Sequence, residues 1–180
     1  MLDQFALLDE FTREPRTAYF SMEIALRSDI PTYAGGLGVL AGDVVRTAAD
    51  LELPLVAVTL VSRDGYFRQE ISAQGRQIEH ADAWNPAEHC RPLNAAVAIS
   101  IEGRPVWVFG WLFVASGSTG TTPVILLDTD FPMNEPADRA ITRELYGGDQ
   151  AYRLKQEAVL GIGGMHMLRA LGFTIDQYHL

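Results

Sequence analysis

Residues 35–38 read Gly35-Gly36-Leu37-Gly38. They lie between an apolar stretch, Ala18-Tyr19-Phe20-Ser21-Met22-Glu23, and a segment, 39–51, whose apolar residues Val39, Leu40, Val44, Val45, Ala48 and Leu51 recur at near-helical spacing. The first stretch reads as a buried strand and the second as a helix. Residues 53–61 follow, Leu-Pro-Leu-Val-Ala-Val-Thr-Leu-Val, β-branched and apolar as a buried parallel strand should be. Strand, glycine turn, helix, strand is a βαβ unit with a right-handed crossover. It decides the fold class: α/β, on a Rossmann-like parallel sheet. Glycines that open a helix leave backbone N–H groups bare at the positive end of the macrodipole, where a phosphate or other anion is stabilised.

Outward from this unit, 16–23 is the first strand and 3–11 a short helix. Residues 66–71 and 75–79 read as a hairpin. Residues 95–102 and 105–114 flank Gly103-Arg104, a two-residue turn signal. Another strand is expected at 122–128. Residues 66–122 therefore form a β-rich antiparallel insertion within one domain spanning 1–180. Helices are expected at 136–146 and at 150–171, the second interrupted by Gly161-Ile162-Gly163-Gly164. Glycine inside a helix costs roughly 1 kcal/mol relative to Ala, so three together indicate tight packing or a ligand. The chain then begins a strand, Gln177-Tyr178-His179-Leu180, and an α/β fold places a functional loop just beyond the carboxyl end of such a strand.

Composition narrows the class. The chain has 180 residues, is 48% hydrophobic and carries a net charge of −9. That is enough apolar content for a core, and the wrong sign for a nucleic-acid binder. Lys155 is the only lysine, which limits Schiff-base chemistry to one position. A single cysteine, Cys90, rules out an intrachain disulfide and points to a reducing, cytoplasmic setting. No signal peptide and no membrane-spanning run is read.

The glycine loop itself has three readings. Gly36-Leu37-Gly38-Val39-Leu40-Ala41 formally fits the dinucleotide fingerprint with Ala in third place. Against it, twelve residues separate Met22 from Gly35, and Asp64 lies too far along to hold a ribose. The second reading is a tight turn needing positive φ. The third is a cradle for a sugar phosphate, free phosphate or nucleotide diphosphate. Elsewhere, Glu23 is a candidate cleft residue at the end of the first strand, and Asp43 is a candidate to form a carboxylate pair with it. Each is also simply read as bonding to loop amides. His80, His89 and Cys90 are too sparse for a metal site. His166 and His179 have no nucleophile pattern around them, and Ser21 and Ser62 lack a Gly-x-Ser-x-Gly context. Trp84, Trp107 and Trp111 have the chemistry to stack on sugar; Trp107 and Trp111 read as core or interface residues.

These strings together resemble a known family. Residues 18–23 and Gly35-Gly36-Leu37-Gly38-Val39-Leu40-Ala41-Gly42-Asp43, then Gly65-Tyr66-Phe67-Arg68-Gln69 and Leu127-Asp128-Thr129-Asp130, are similar to the N-terminal domain of α-glucan (glycogen and starch) phosphorylases, the bacterial short form above all. The likeness continues, in order, through Asp138-Arg139-Ala140-Ile141-Thr142, Leu145-Tyr146-Gly147-Gly148-Asp149 and Arg153-Leu154-Lys155-Gln156-Glu157. It implies the N-terminal half of a GT-B glycosyltransferase that interconverts α-1,4-glucan and glucose 1-phosphate with pyridoxal phosphate as cofactor. It implies that Gly35, Gly36 and Leu37 face substrate phosphate or the nonreducing glucose, and that Gly38 shapes the turn. It also implies that no catalytic group lies in this chain: the cofactor lysine and the phosphate-gripping cations belong to a C-terminal domain, and Lys155 matches a non-cofactor segment. The chain alone is then expected to be inactive, to bind no pyridoxal phosphate and to self-associate. Two rival readings stay open: a glycogen- or starch-synthase-type glucosyltransferase, which would carry a lysine shortly before the glycines where Tyr33 and Ala34 stand here, and a non-catalytic glucan- or partner-binding module.

Overall fold

A computed structural model describes residues 4–14 and 16–180. Its main sheet has six strands: β1 (Arg16–Phe20), β2 (Leu55–Leu60), β5 (Arg91–Ile101), β6 (Arg104–Ser116), β7 (Thr121–Asp128) and β8 (Ile175–His179), in the order β5-β6-β7-β2-β1-β8. The four strands β7, β2, β1 and β8 run parallel. β5 and β6 add an antiparallel flank. A separate hairpin pairs β3 (Arg68–Ile71) with β4 (Gln77–His80). The fold is therefore α/β on a mixed sheet.

The middle of the sheet follows from its residues. β2, Leu-Val-Ala-Val-Thr-Leu, is buried at all six positions. Leu55 and Ala57 join an apolar cluster with Ala41, Val45 and Ala48 of helix α2 (Gly36–Asp50). Val56, Val58 and Leu60 point the other way, into a cluster with Val159, Met167 and Leu168. A strand covered on both faces has no polar side to offer, hence its unbroken apolar run. The far layer is built from α4 (Gln150–Ala158), a π turn (Val159–Gly163) and α5 (Gly164–Ala170), one helical rod over the span expected, with the π turn where its glycines interrupt the pattern. Among the described residues no helix is long and apolar enough to cross a membrane.

Several expectations shift. The first helix, α1, is Gln4–Thr12, and residue 3 of the expected span lies outside the described residues. The first strand stops at Phe20, because residues 21–34 fold back as a loop: Ile24 N–H donates to Thr32 O, and the Thr32 hydroxyl donates to Ile24 O. Residues 91–116 add two antiparallel strands to the edge of the main sheet. The helix expected at 136–146 is reduced to α3 (Pro136–Arg139). Beyond it, side chains replace the helical ladder. Gln156 Nε2 donates to the carbonyls of Ile141 and Glu144, and the Thr142 amide donates to Thr129 Oγ1. A buried polar network of this kind outweighs a short segment's helix propensity.

Candidate functional site

The glycine loop opens α2 just beyond the carboxyl end of β1, where ligands bind in open α/β sheets. Its glycines divide into two kinds. Gly38 and Gly42 are buried, and a Cβ at either would collide: at Gly38 with Tyr33 Cβ (2.5 Å) and Glu23 Oε2 (2.8 Å), at Gly42 with the Ala25 carbonyl oxygen (2.3 Å). They let α2 dock on the 21–34 loop, a contact sealed by the Ala25 N–H donating to Gly38 O at 2.9 Å. Gly35 and Gly36 have open space instead: a Cβ added at either would meet no atom within 4 Å. Gly35, Gly36 and Gly38 all lack positive φ, and Gly35 is extended at φ −163°. A left-handed turn is therefore not what this loop needs glycine for.

The N–H groups are similarly divided. Ala34 and Gly35 donate inward to Glu23 Oε2, at 2.7 and 3.3 Å. Val39 N–H donates back to Gly35 O at 3.2 Å. Among the described residues the N–H groups of Gly36, Leu37 and Gly38 have no partner, as the first turn of a helix dictates. Leu37 is 72% exposed. The arrangement offers outward donors at a helix terminus beside room for a ligand, and it suits an oxygen-rich group.

Glu23 is 4% exposed, on the inner side of this loop. Its Oε1 accepts from the Tyr146 hydroxyl at 2.9 Å, a pairing across 123 positions. Burial, and after it the hydrogen bond to Glu23, raises the Tyr146 phenol well above its ordinary value. Tyr146 sits at φ +56°, ahead of Gly147 and of Gly148 at φ +66°. Asp43, the other carboxylate considered, lies on the outer face of α2 and pairs with Arg46 at 2.8 Å.

A second polar centre lies at the carboxyl end of β7. Asp128 is fully buried; its Oδ2 accepts from Arg63 (Nη2 at 2.6 Å, Nε at 3.0 Å) and from Trp111 Nε1 at 2.9 Å. Its Oδ1 accepts the Asp130 amide at 2.8 Å. A cavity of about 190 Å³ beside it is lined by Arg63, Arg139, Arg143, Asp130 and Thr142. Each arginine there is already matched: Arg63 with Asp128, Arg139 with Asp130 and Arg143 with Asp64. Trp111 thus serves the core and this network. Trp84 is similarly tied, with Nε1 donating to the carbonyls of Val61 and Ser62.

The remaining candidates scatter. His80 pairs with Glu70, His89 lies 3.7 Å from Asp29, and Cys90 is buried, its thiol pushed up to about 12 by desolvation. No group of three or more metal-ligating side chains occurs among the described residues. Pyridoxal phosphate needs an amine on the floor of a cradle. Lys155 instead projects from α4 to pair with Glu102 at 2.9 Å, near the β5–β6 turn. These residues do not fit that cofactor.

The Glu23–Tyr146 pair is the feature the sequence did not announce. Each residue sits in a stretch that is distinctive by itself, yet nothing in either stretch signals that the two meet.

No protein-family model matches the chain. Individual proteins do. It is 41% identical over 174 residues to the maltodextrin phosphorylase of Thermococcus litoralis, covering 93% of this chain and 20% of that protein. It is 42% identical over 165 residues to the glycogen phosphorylase of Mycobacterium tuberculosis strain H37Rv, covering 85% and 18%. It is 33% identical over 180 residues to the glycogen phosphorylase of Aquifex aeolicus, covering 95% and 25%. The chain thus spans about a fifth to a quarter of the length of these relatives. By sequence, most of the chain is similar to one segment of maltodextrin and glycogen phosphorylases.

Proposed function

We propose that this segment forms one wall of the cleft of an α-glucan phosphorylase, in the N-terminal half of a GT-B architecture, with residues 66–122 as its β-rich insertion. In this reading Gly36, Leu37 and Gly38 present their amides to the phosphate or the terminal glucose of the substrate. Gly35 contributes by holding the loop's entry extended. The observation that carries the reading is the row of N–H groups at Gly36, Leu37 and Gly38, unpartnered among the described residues, at a helix start where Gly36 has open space and Leu37 is exposed, within a stretch so similar to phosphorylases. An oxyanion bound there gains several charge-assisted hydrogen bonds and the favourable end of the α2 dipole.

The other wall, with pyridoxal phosphate and the cations that neutralise a dianion, belongs in this reading to sequence outside these 180 residues. The reaction is reversible transfer of a glucosyl unit between α-1,4-glucan and phosphate. This chain's part is to orient the phosphoryl or sugar oxygens with fixed backbone dipoles, which need no reorganisation as charge develops.

The test is an assay of the native gene product with maltodextrin. Release of glucose 1-phosphate that depends on inorganic phosphate is the expected result. Chain extension from a nucleotide sugar, with no release by phosphate, would overturn it.

A further inference from the structure

A helix N-terminus carries only about half a unit of positive charge. In α2 part of that charge is already answered from within the protein. The Glu23 carboxylate is 4% exposed, lies under the loop and takes the amides of Ala34 and Gly35 on one oxygen. Its other oxygen takes the Tyr146 hydroxyl. Tyr146 is itself held in a left-handed conformation, at φ +56°, which a non-glycine side chain adopts only when its neighbours impose it. Its carbonyl accepts from Arg153 Nη2 at 3.4 Å, and Asp149, three residues on, caps α4 through the Tyr152 amide. One buried carboxylate thus joins the glycine loop to the 146–149 turn and to the start of α4.

We propose that Glu23 is the positioning residue of the glycine loop. It fixes which amides point outward, and its charge holds down the loop's own affinity for a doubly charged phosphate. The proposal rests on the reading of Gly36, Leu37 and Gly38 as ligand-facing amides. It adds a division of labour. The loop supplies directed hydrogen bonds from this side of the cleft, while Glu23 keeps it from becoming a strong free-phosphate trap that would resist exchange of substrate for product. The geometry supports a short range between carboxylate and ligand: Oε2 is 3.3 Å from the Gly35 nitrogen, next along the chain from the Gly36 amide. With only this short stretch of backbone between them, two anions in a partly buried setting repel.

The experiment titrates the nitrogen-15-labelled 180-residue chain with inorganic phosphate and follows the Gly36, Leu37 and Gly38 amide resonances. Glu23→Gln keeps an acceptor for Ala34 and removes the charge; the Tyr146 hydroxyl can turn to accept from the new amide. It is expected to bind phosphate about fivefold more tightly than the native chain. A residue that merely stabilised the fold would give equal or weaker binding on replacement. If the native chain shifts at these amides and Glu23→Gln binds no more tightly, the proposal fails and the loop reading stands. If neither protein responds, the loop reading fails. Tyr146→Phe gives a second check independent of any ligand. It is expected to speed hydrogen exchange at Ala34 and Gly35 together with Gly148 and Asp149, and exchange confined to one of the two regions would overturn the coupling.

Discussion

Two glycine-rich stretches bracket the sheet, and they are used in opposite ways. At 161–164, Gly164 is buried where α5 meets the sheet, and a Cβ there would come 2.6 Å from Phe20 Cε1 and 2.9 Å from Val58 Cγ1. Gly163 is in ordinary contact distance of Val108, and Gly161 faces open space. At 35–42, Gly38 and Gly42 admit backbone and carboxylate, while Gly35 and Gly36 admit nothing that the protein itself supplies. Both stretches therefore mix packing glycines with open ones. What separates them is hydrogen bonding. The 161–164 stretch lies within a continuous helical rod whose amides bond along the rod. Of the loop's open glycines, Gly36 stands at the helix start with a bare donor, while Gly35 donates to Glu23. A glycine marks an absent side chain; only the surroundings say whether protein or ligand fills the space.

Substitutions at these glycines sharpen the contrast. Gly42→Ala is expected to have the largest effect, because its Cβ meets a backbone oxygen at 2.3 Å that cannot rotate away. Denaturant unfolding should show a loss of about 3 kcal/mol. A loss under about 1 kcal/mol would mean that α2 and the 21–34 loop slide past one another easily. Gly164→Ala comes next, at about 1–2 kcal/mol, since Phe20 and Val58 are side chains able to yield and Ala recovers some helix propensity. A neutral outcome would remove the packing explanation for that glycine.

The open positions form the most discriminating pair. Gly161→Ala and Gly36→Ala should both leave stability unchanged or raise it by up to about 1 kcal/mol, as both lie in helical segments with free space. They should differ in ligand response: Gly36→Ala weakens phosphate-induced shifts at Leu37 and Gly38, whereas Gly161→Ala leaves them as they were. Equal behaviour of the two variants would break the comparison.

The contrast also explains which parts of the molecule are legible in the sequence. β2 is plain from six consecutive apolar or β-branched residues, since a strand buried on both faces has no alternative pattern. The glycine loop and α2 are legible from local spacing. The 136–146 segment reads as helix but is helical only at Pro136–Arg139, because the shape of the rest depends on partners far along the chain. Thr129 and Gln156 supply hydrogen bonds that a local window cannot contain. The same limit hides the Glu23–Tyr146 bond. Tyr146 reads as the end of the expected helix, and neither its positive φ nor its hydroxyl's bond to Glu23 shows in the local pattern. Three arginines around one cavity are a different case: each is present in the sequence, but only the fold matches each with an aspartate.

The central claim is that the ligand-facing surface of this segment is the amide row at Gly36, Leu37 and Gly38, rather than the arginine-lined cavity beside Asp130. Titrating the labelled chain with glucose 1-phosphate tests it most directly. The account predicts that the strongest shifts fall on those three amides and fade toward the Arg63, Arg139 and Arg143 cavity. Shifts centred on that cavity, with the glycine loop unmoved, would contradict it.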